Sequence, residues 1–360
     1  MTTVQTYAPG RAELLGNHTD YNDGLVLSLA ISFGTTMRAK PLPDNKLVLR
    51  SLDLKREWSG DLSRIEPQKT ESWANYVLGV LDQLGKRGTR LGGAELEISS
   101  NIPIGAGLSS SAALEIATAL SMQKLYPFEM GRLDLARVGQ AAEHTYAGVK
   151  CGLLDQISVA LSRKGHATSI DCRSFEIGHL PLDPAYEFVI VHSGVKHALV
   201  GGEYNERRES CENAARLLGK AALRDVTPAE LELAREKLPE HAYMRAKHVV
   251  GEIDRVTRAK GYLEAGRMEE FGKLMYESHE SSIRYFENSC EELDFLVATA
   301  KGLKGCLGAR LSGGGFGGAT LNLVRRDCLK EFCAKLAEAY RKHHGSEPMI
   351  LPTDACDGAF

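Results

Sequence analysis

Residues 102–113 read Ile102-Pro103-Ile104-Gly105-Ala106-Gly107-Leu108-Ser109-Ser110-Ser111-Ala112-Ala113, and the fold follows from what enters and leaves this stretch. Upstream, Ala94, Leu96 and Ile98 alternate with Glu95, Glu97 and Ser99, the period of a half-buried strand. Downstream, Ala113, Ile116, Ala117 and Leu120 recur at helical spacing, and Pro127 closes the run. A strand therefore enters a glycine-serine loop that opens a helix. Free N–H groups and the helix dipole make such a start attractive to anions, and glycine lets the backbone approach them closely. A serine N-cap after a tight turn is the plainer reading. Two glycines and three serines in seven residues exceed what capping requires, so phosphate is the better expectation.

Composition narrows the classes. At 360 residues the chain exceeds one ordinary core, and two domains are expected, 1–180 and 181–360, with the boundary within 175–185. A net charge of −3 without a basic block argues against nucleic acid. No apolar run is long enough for a bilayer. Eight scattered cysteines without a Cys-x-x-Cys pair point to neither zinc nor disulfides, and suit a reducing cytoplasm. The 36 glycines gather at residues 10–24, 105–107 and 313–318, which suggests close backbone approach to a ligand.

In the first cluster, strands over Val4–Tyr7 and Leu25–Ile31 flank a polar set: Arg11, Glu13, Asn17, His18, Asp20 and Asn22. It reads either as a solvated hairpin loop or as a set of donors and acceptors matched to sugar hydroxyls. His18 and Asp20 alone make a weak metal site. Trp73 heads an apolar helix and packs in the core or stacks on a base. A helical pattern over Leu133–Val149 carries Glu143, and Asp155 sits near the start of another helix. The third cluster, Gly313 to Gly318, matches G-x-G-x-x-G by letter, but a strand over Ala319–Val324 follows where a dinucleotide site needs a helix. A glycine-rich hairpin facing a ligand fits better. Residues 228–300 are helical and charged, without a sharp motif.

Three clusters in this order resemble the GHMP small-molecule kinases. Gly10-Arg11, with Leu15-Gly16-Asn17-His18-Thr19-Asp20-Tyr21-Asn22, narrows the resemblance to the galactokinase family. It implies an α+β fold of two domains, the first like ribosomal protein S5 domain 2 and the second a ferredoxin-like α+β domain, with the active site in the cleft between them. It further implies ATP-dependent phosphorylation of the anomeric hydroxyl of galactose. Asp155 would be the base or orient the hydroxyl, with Arg11 placing positive charge beside the transferred phosphoryl. Asn17, His18, Asp20, Gly152 and Tyr204 match the sugar contacts. Gly105, Gly107, Leu108, Ser109, Ser110 and Ser111 match the nucleotide-phosphate loop, with Trp73 near adenine. Ser111 and Glu143 match the Mg2+ ligands. ATP, Mg2+ and a small sugar are the implied cofactors and partners, for a cytoplasmic monomer with neither nucleic acid nor membrane as partner. At Asn17 the family signature carries a glutamate that contacts the sugar's 6-hydroxyl, so galacturonate, L-arabinose and N-acetylgalactosamine are alternative substrates. A galactokinase-like sugar sensor without catalysis is the other alternative.

Overall fold

The computed structural model describes residues 3–103, 105–196 and 200–360; Ile104 of the glycine-serine stretch lies outside them. The first part comprises β1 (Val4–Leu15), β2 (Leu25–Pro41), β3 (Lys46–Ser51), β4 (Arg56–Asp61), α1 (Asn75–Lys86), β5 (Ala94–Ser100), α2 (Ser110–Leu125), α3 (Arg132–Ala142), α4 (Leu154–Leu161), β6 (His166–Asp171) and β7 (Ile177–Pro181). Its strands form a sheet in the order β4-β3-β5-β2-β6-β7, with β1 also paired to β2. The long β2 is the spine: residues 35–41 pair with β5, residues 25–28 with β6, and nearly its whole length with β1. Apolar residues of β1, β2 and β5 meet those of α1 to α4 in one core, including Leu14, Leu29, Leu96, Val77, Ile116, Val138 and Ile157.

The expected loop after Tyr7 is corrected: β1 continues to Leu15, paired to β2 on either side of two bulges. Arg11 and Glu13 stay in the strand because each finds an ion-pair partner, Asp155 and Arg310. The pairing shifts register between Pro9 and Arg11, and again between Glu13 and Leu15. Such bulges re-aim side chains, here beside Arg11 and Glu13.

The second part comprises β8 (Tyr186–Lys196), α5 (Val200–Leu217), α6 (Pro228–Leu233), α7 (Glu240–Glu264), α8 (Met268–Ser281), α9 (Glu291–Gly302), β9 (Cys306–Ser312), β10 (Gly317–Arg325), α10 (Leu329–His344) and β11 (Met349–Thr353). The sheet order β11-β8-β10-β9 is the ferredoxin-like arrangement, with α5 to α9 between its first two strands. One face of this sheet, through Phe188, Ile190, Leu321 and Leu323, joins the core of the first part. The other face, with Val189, Val191 and Ala309, packs on α9 and α10.

Residues 356–360 cross back to the first sheet. Cys356 donates to the Ala30 carbonyl, and Tyr7 and Phe360 exchange two backbone bonds of 2.9 Å. No helix among the described residues is long and apolar enough to cross a membrane.

Candidate active site

The glycine-serine stretch opens α2 as its sequence predicts, and Ser109 stands at the N-cap. It does not cap. Its φ of 57° is left-handed, and its hydroxyl donates instead to Asp155 Oδ2 at 2.5 Å. A non-glycine residue held in that region costs free energy, which a ligand-facing role explains better than capping does. The loop itself is anchored on β1, where Arg11 N–H donates to the Leu108 carbonyl at 3.1 Å.

From the bulge in β1, Arg11 reaches Asp155 at the start of α4. Nε donates to Oδ1 at 2.8 Å, and a second guanidinium nitrogen lies 2.7 Å from the same oxygen. The third nitrogen donates to the Gly107 carbonyl at 2.7 Å. Residues far apart in sequence, from the strand, the loop and the helix, thus meet at one carboxylate.

Two cavities meet there. One, of about 470 Å³, is lined by Asn17, His18, Asp20, Gly152 and Tyr204, together with Glu13 and Glu143. The other, of about 230 Å³, is lined by Gly105, Gly107, Leu108, Ser109, Ser110 and Ser111. Arg11, Asp155, Gly313 and Gly314 line both. The hairpin between β9 and β10 supplies these last two glycines. Gly313, at φ 75°, lies so near the glycine-serine loop that a Cβ would stand 3.3 Å from the Gly107 carbonyl. Trp73 lines neither cavity; its ring packs on the core and its Nε1 donates to Glu71 at 2.6 Å.

Within the larger cavity the polar groups differ in what they have left to offer. His18 Nε2 donates to the Gly314 carbonyl at 3.0 Å, so Nδ1 is the acceptor for the Tyr21 hydroxyl at 2.8 Å. Burial lowers its pKa to about 4, which keeps the ring neutral. Tyr204 stacks at a tilt against it, with centroids 5.1 Å apart. Asp20 is partly open to the cavity yet deep enough that burial, then the charges of Asp155 and Glu13, push its carboxyl up to about 7. Gly152 is tight against it: a Cβ there would lie 2.0 Å from Asp20 Oδ2.

Asn17 is 1% exposed and its amide is committed. Nδ2 donates to Glu13 Oε1 at 3.0 Å and to the Gly313 carbonyl at 2.7 Å, while Oδ1 accepts from Asn288 at 3.0 Å. Its backbone is pinned by α7. Glu252 accepts from the Gly16 and Asn17 N–H groups, each at 2.9 Å, and His248 donates to the Asn17 carbonyl. Buried Glu252 has its pKa lowered, despite the opposing effect of burial, by Arg255, His248 and Arg310. Asn288, His248 and Glu252 receive no role from the sequence, which has no sharp motif there; Glu13 reads only as one member of the polar cluster.

Glu143 is set by an irregularity. The predicted helix over Leu133–Val149 stops being regular at Ala142 and becomes a π-helical turn over Glu143–Ala147. Such turns interrupt the helical spacing from which the longer helix was expected, and they often mark functional sites. Gln156 Nε2 bridges Glu143 and Glu115, donating at 3.0 Å to each. Burial, then the charge of Asp155, pushes the Glu143 carboxyl up, against bonds from Cys151, Ser111 and Gln156. Glu115, wholly buried with Oε1 unpartnered, is pushed up further by burial and by Glu143. These crowded hard oxygens fit a divalent cation. Among the described residues no three His, Cys, Asp or Glu side chains form a ready metal cage, but Mg2+ held partly by phosphates needs only one or two protein oxygens.

Comparison with known proteins agrees with this geometry. Residues 3–41 match the galactokinase galactose-binding signature, residues 75–163 the GHMP kinases N terminal domain, and residues 259–342 the GHMP kinases C terminal family. A galactokinase of Roseiflexus sp. (strain RS-1) is 41% identical over 98% of this chain and 91% of its own. One from Thermotoga petrophila is 38% identical over 99% of both chains. The crystal structure of Lactococcus lactis galactokinase complexed with galactose superposes with a TM-score of 0.96, at 32% identity, covering 99% of this chain and 95% of that one. A mevalonate kinase, at TM-score 0.69 and 22% identity, shares the fold.

Proposed function

The chain belongs to the GHMP kinases, and within them to the galactokinases, and on that membership we propose that it transfers the γ-phosphoryl group of ATP to the anomeric hydroxyl of D-galactose, giving galactose 1-phosphate and ADP. The observation that carries the reading is the meeting of the two cavities at Asp155 and Arg11. One cavity offers carboxylates and aromatic rings to a sugar, the other offers backbone and hydroxyl groups to phosphate.

In this reading the sugar's anomeric oxygen lies against Asp155. The new bond forms from that oxygen to phosphorus, the bond from phosphorus to the bridging oxygen breaks, and ADP leaves with the electron pair. Asp155 takes the hydroxyl proton or holds the hydroxyl in line. Arg11, fixed by both Asp155 and the Gly107 carbonyl, keeps positive charge where negative charge accumulates. Ser111 and Glu143 would hold Mg2+, which neutralises phosphate charge when bound. The chain is read as a cytoplasmic monomer, and its eight free cysteines suit a reducing compartment.

Turnover of ATP with a panel of galactose, L-arabinose, galacturonate and N-acetylgalactosamine tests the proposal. Galactose should give the highest kcat/KM; a folded protein that turns over none of them would overturn it.

Two further outcomes are expected. Ser111→Ala should raise the Mg2+ concentration giving half-maximal activity, because a hard-cation ligand is lost, while galactose binding measured without nucleotide stays as it was. Unchanged Mg2+ dependence would remove Ser111 from the metal site. The second concerns Asp20. Its carboxyl is raised from 3.8 to about 7 in the folded chain. Below the lower value both folded and unfolded states hold the proton and the group contributes nothing. As pH rises between the two values it increasingly costs stability, and above about 7 the cost is full. A sugar hydroxyl donates more strongly to the ionised form. The galactose KM should therefore fall as pH rises through about 7, and Asp20→Asn should flatten that dependence while weakening binding. A KM profile of the same shape in the variant would exclude Asp20 as its origin.

A further inference from the structure

We propose that Glu13 reads a sugar hydroxyl in this site and makes it selective for a neutral sugar over a sugar acid; this rests on the sugar-kinase reading above. Glu13 lies on the bulged stretch of β1, 4% exposed, in the wall of the larger cavity. Its Oε1 is fully occupied, accepting from Asn17 Nδ2 and from Arg310, each at 3.0 Å. Its Oε2 receives no donor from the described residues and is not among the sealed-in atoms that lack one, so it is open to the cavity. A carboxylate oxygen in that position can only accept. Sugar hydroxyls are the donors that suit it.

Asn17 is not the competing reader. Both hydrogens of its amide are spent, one on Glu13 itself. Its place is that of a clamp holding the Glu13 carboxylate in one orientation. Arg310 is the second clamp. It is wholly buried, its Nε and the nitrogen not paired with Glu13 lack partners among the described residues, and Glu13 is its ion-pair partner. That cation is spent as well.

Charge in the cavity follows. Glu13, Asp20, Glu143 and Asp155 line it, and Arg11, bound to Asp155, is the single cation among the lining residues. A carboxylate on the ligand would meet repulsion, with no free cation among the lining residues to relieve it. Neutral hydroxyls instead gain charge-assisted bonds.

The test is a cycle between variant and substrate. KM and kcat are measured for wild type and Glu13→Gln with galactose, its 2-, 3-, 4- and 6-deoxy derivatives, and galacturonate. A bond to a charged acceptor predicts that one deoxy sugar suffers about tenfold or more in kcat/KM with the wild type. Glu13→Gln should lose most of that discrimination at that one position, and should raise galacturonate relative to galactose. Where Glu13→Gln fails to fold because Arg310 loses its counter-ion, Glu13→Gln/Arg310→Met removes both charges and gives the same reading. The ATP KM should not move. A variant that penalises each deoxy sugar and galacturonate as wild type does would leave Glu13 as a partner of Arg310 alone and overturn the proposal. A folded wild type that phosphorylates no sugar in the set would overturn the sugar-kinase reading itself, and the inference with it.

Discussion

Asp155→Asn is expected to lower kcat by about 10²–10⁴-fold while the chain stays folded. The side chain keeps its size, and Oδ1 can still accept from Arg11. Ser109, which donates to Oδ2, can turn its hydroxyl and accept from the new amide. What goes is the negative charge, and with it the group proposed to take or align the sugar proton. Arg11 then lacks its counter-ion. Breaking a buried pair costs up to about 3–5 kcal/mol. Here the Asp155 side chain is 26% exposed, which puts this pair below that range. Galactose binding without turnover, read by calorimetry, should survive. Near-normal kcat from a folded variant would take the chemistry away from Asp155.

Gly152→Ala should be nearly as severe, through a different parameter. The new methyl would lie 2.0 Å from Asp20 Oδ2 and 2.7 Å from its Cγ. No carbon approaches a carboxylate that closely, so either Asp20 or the chain around residue 152 must move by about an ångström. A displacement of that size in a binding constellation costs on the order of 10²-fold. The expected result is a galactose KM raised by roughly that factor, with the ATP KM unchanged. An unchanged galactose KM would mean that Asp20 does not need its place against residue 152.

Much of this site is legible in the sequence because short-range grammar writes it. The glycine-serine loop is announced by alternation before it and helical spacing after it, and the third glycine cluster by a strand where a nucleotide motif would need a helix. What stays hidden depends on partners distant in sequence. Nothing local to Glu13 announces Arg310, and nothing in the charged helix α7 marks His248 and Glu252 as the residues that grip the peptide of Asn17. The bulges of β1 are equally silent, since polar residues in a strand look like loop until their buried partners are known. Ser109 shows the same limit from the other side. Its position as N-cap is readable, but its left-handed backbone and its bond to Asp155 are not.

The return of residues 356–360 to the first sheet carries a consequence for how the chain is made. Positions 30 and 356, and 7 and 360, are partners at almost the greatest separation the sequence allows. Contacts that close such long loops form late and slow folding. While the nascent chain leaves the ribosome, backbone groups of Tyr7 and Ala30 wait for partners not yet synthesised, on strands that already carry an apolar face. An exposed strand edge of that kind is a template for association with other chains. A chain stalled or cleaved before residue 356 keeps this edge open, so its first loss is soluble yield rather than turnover.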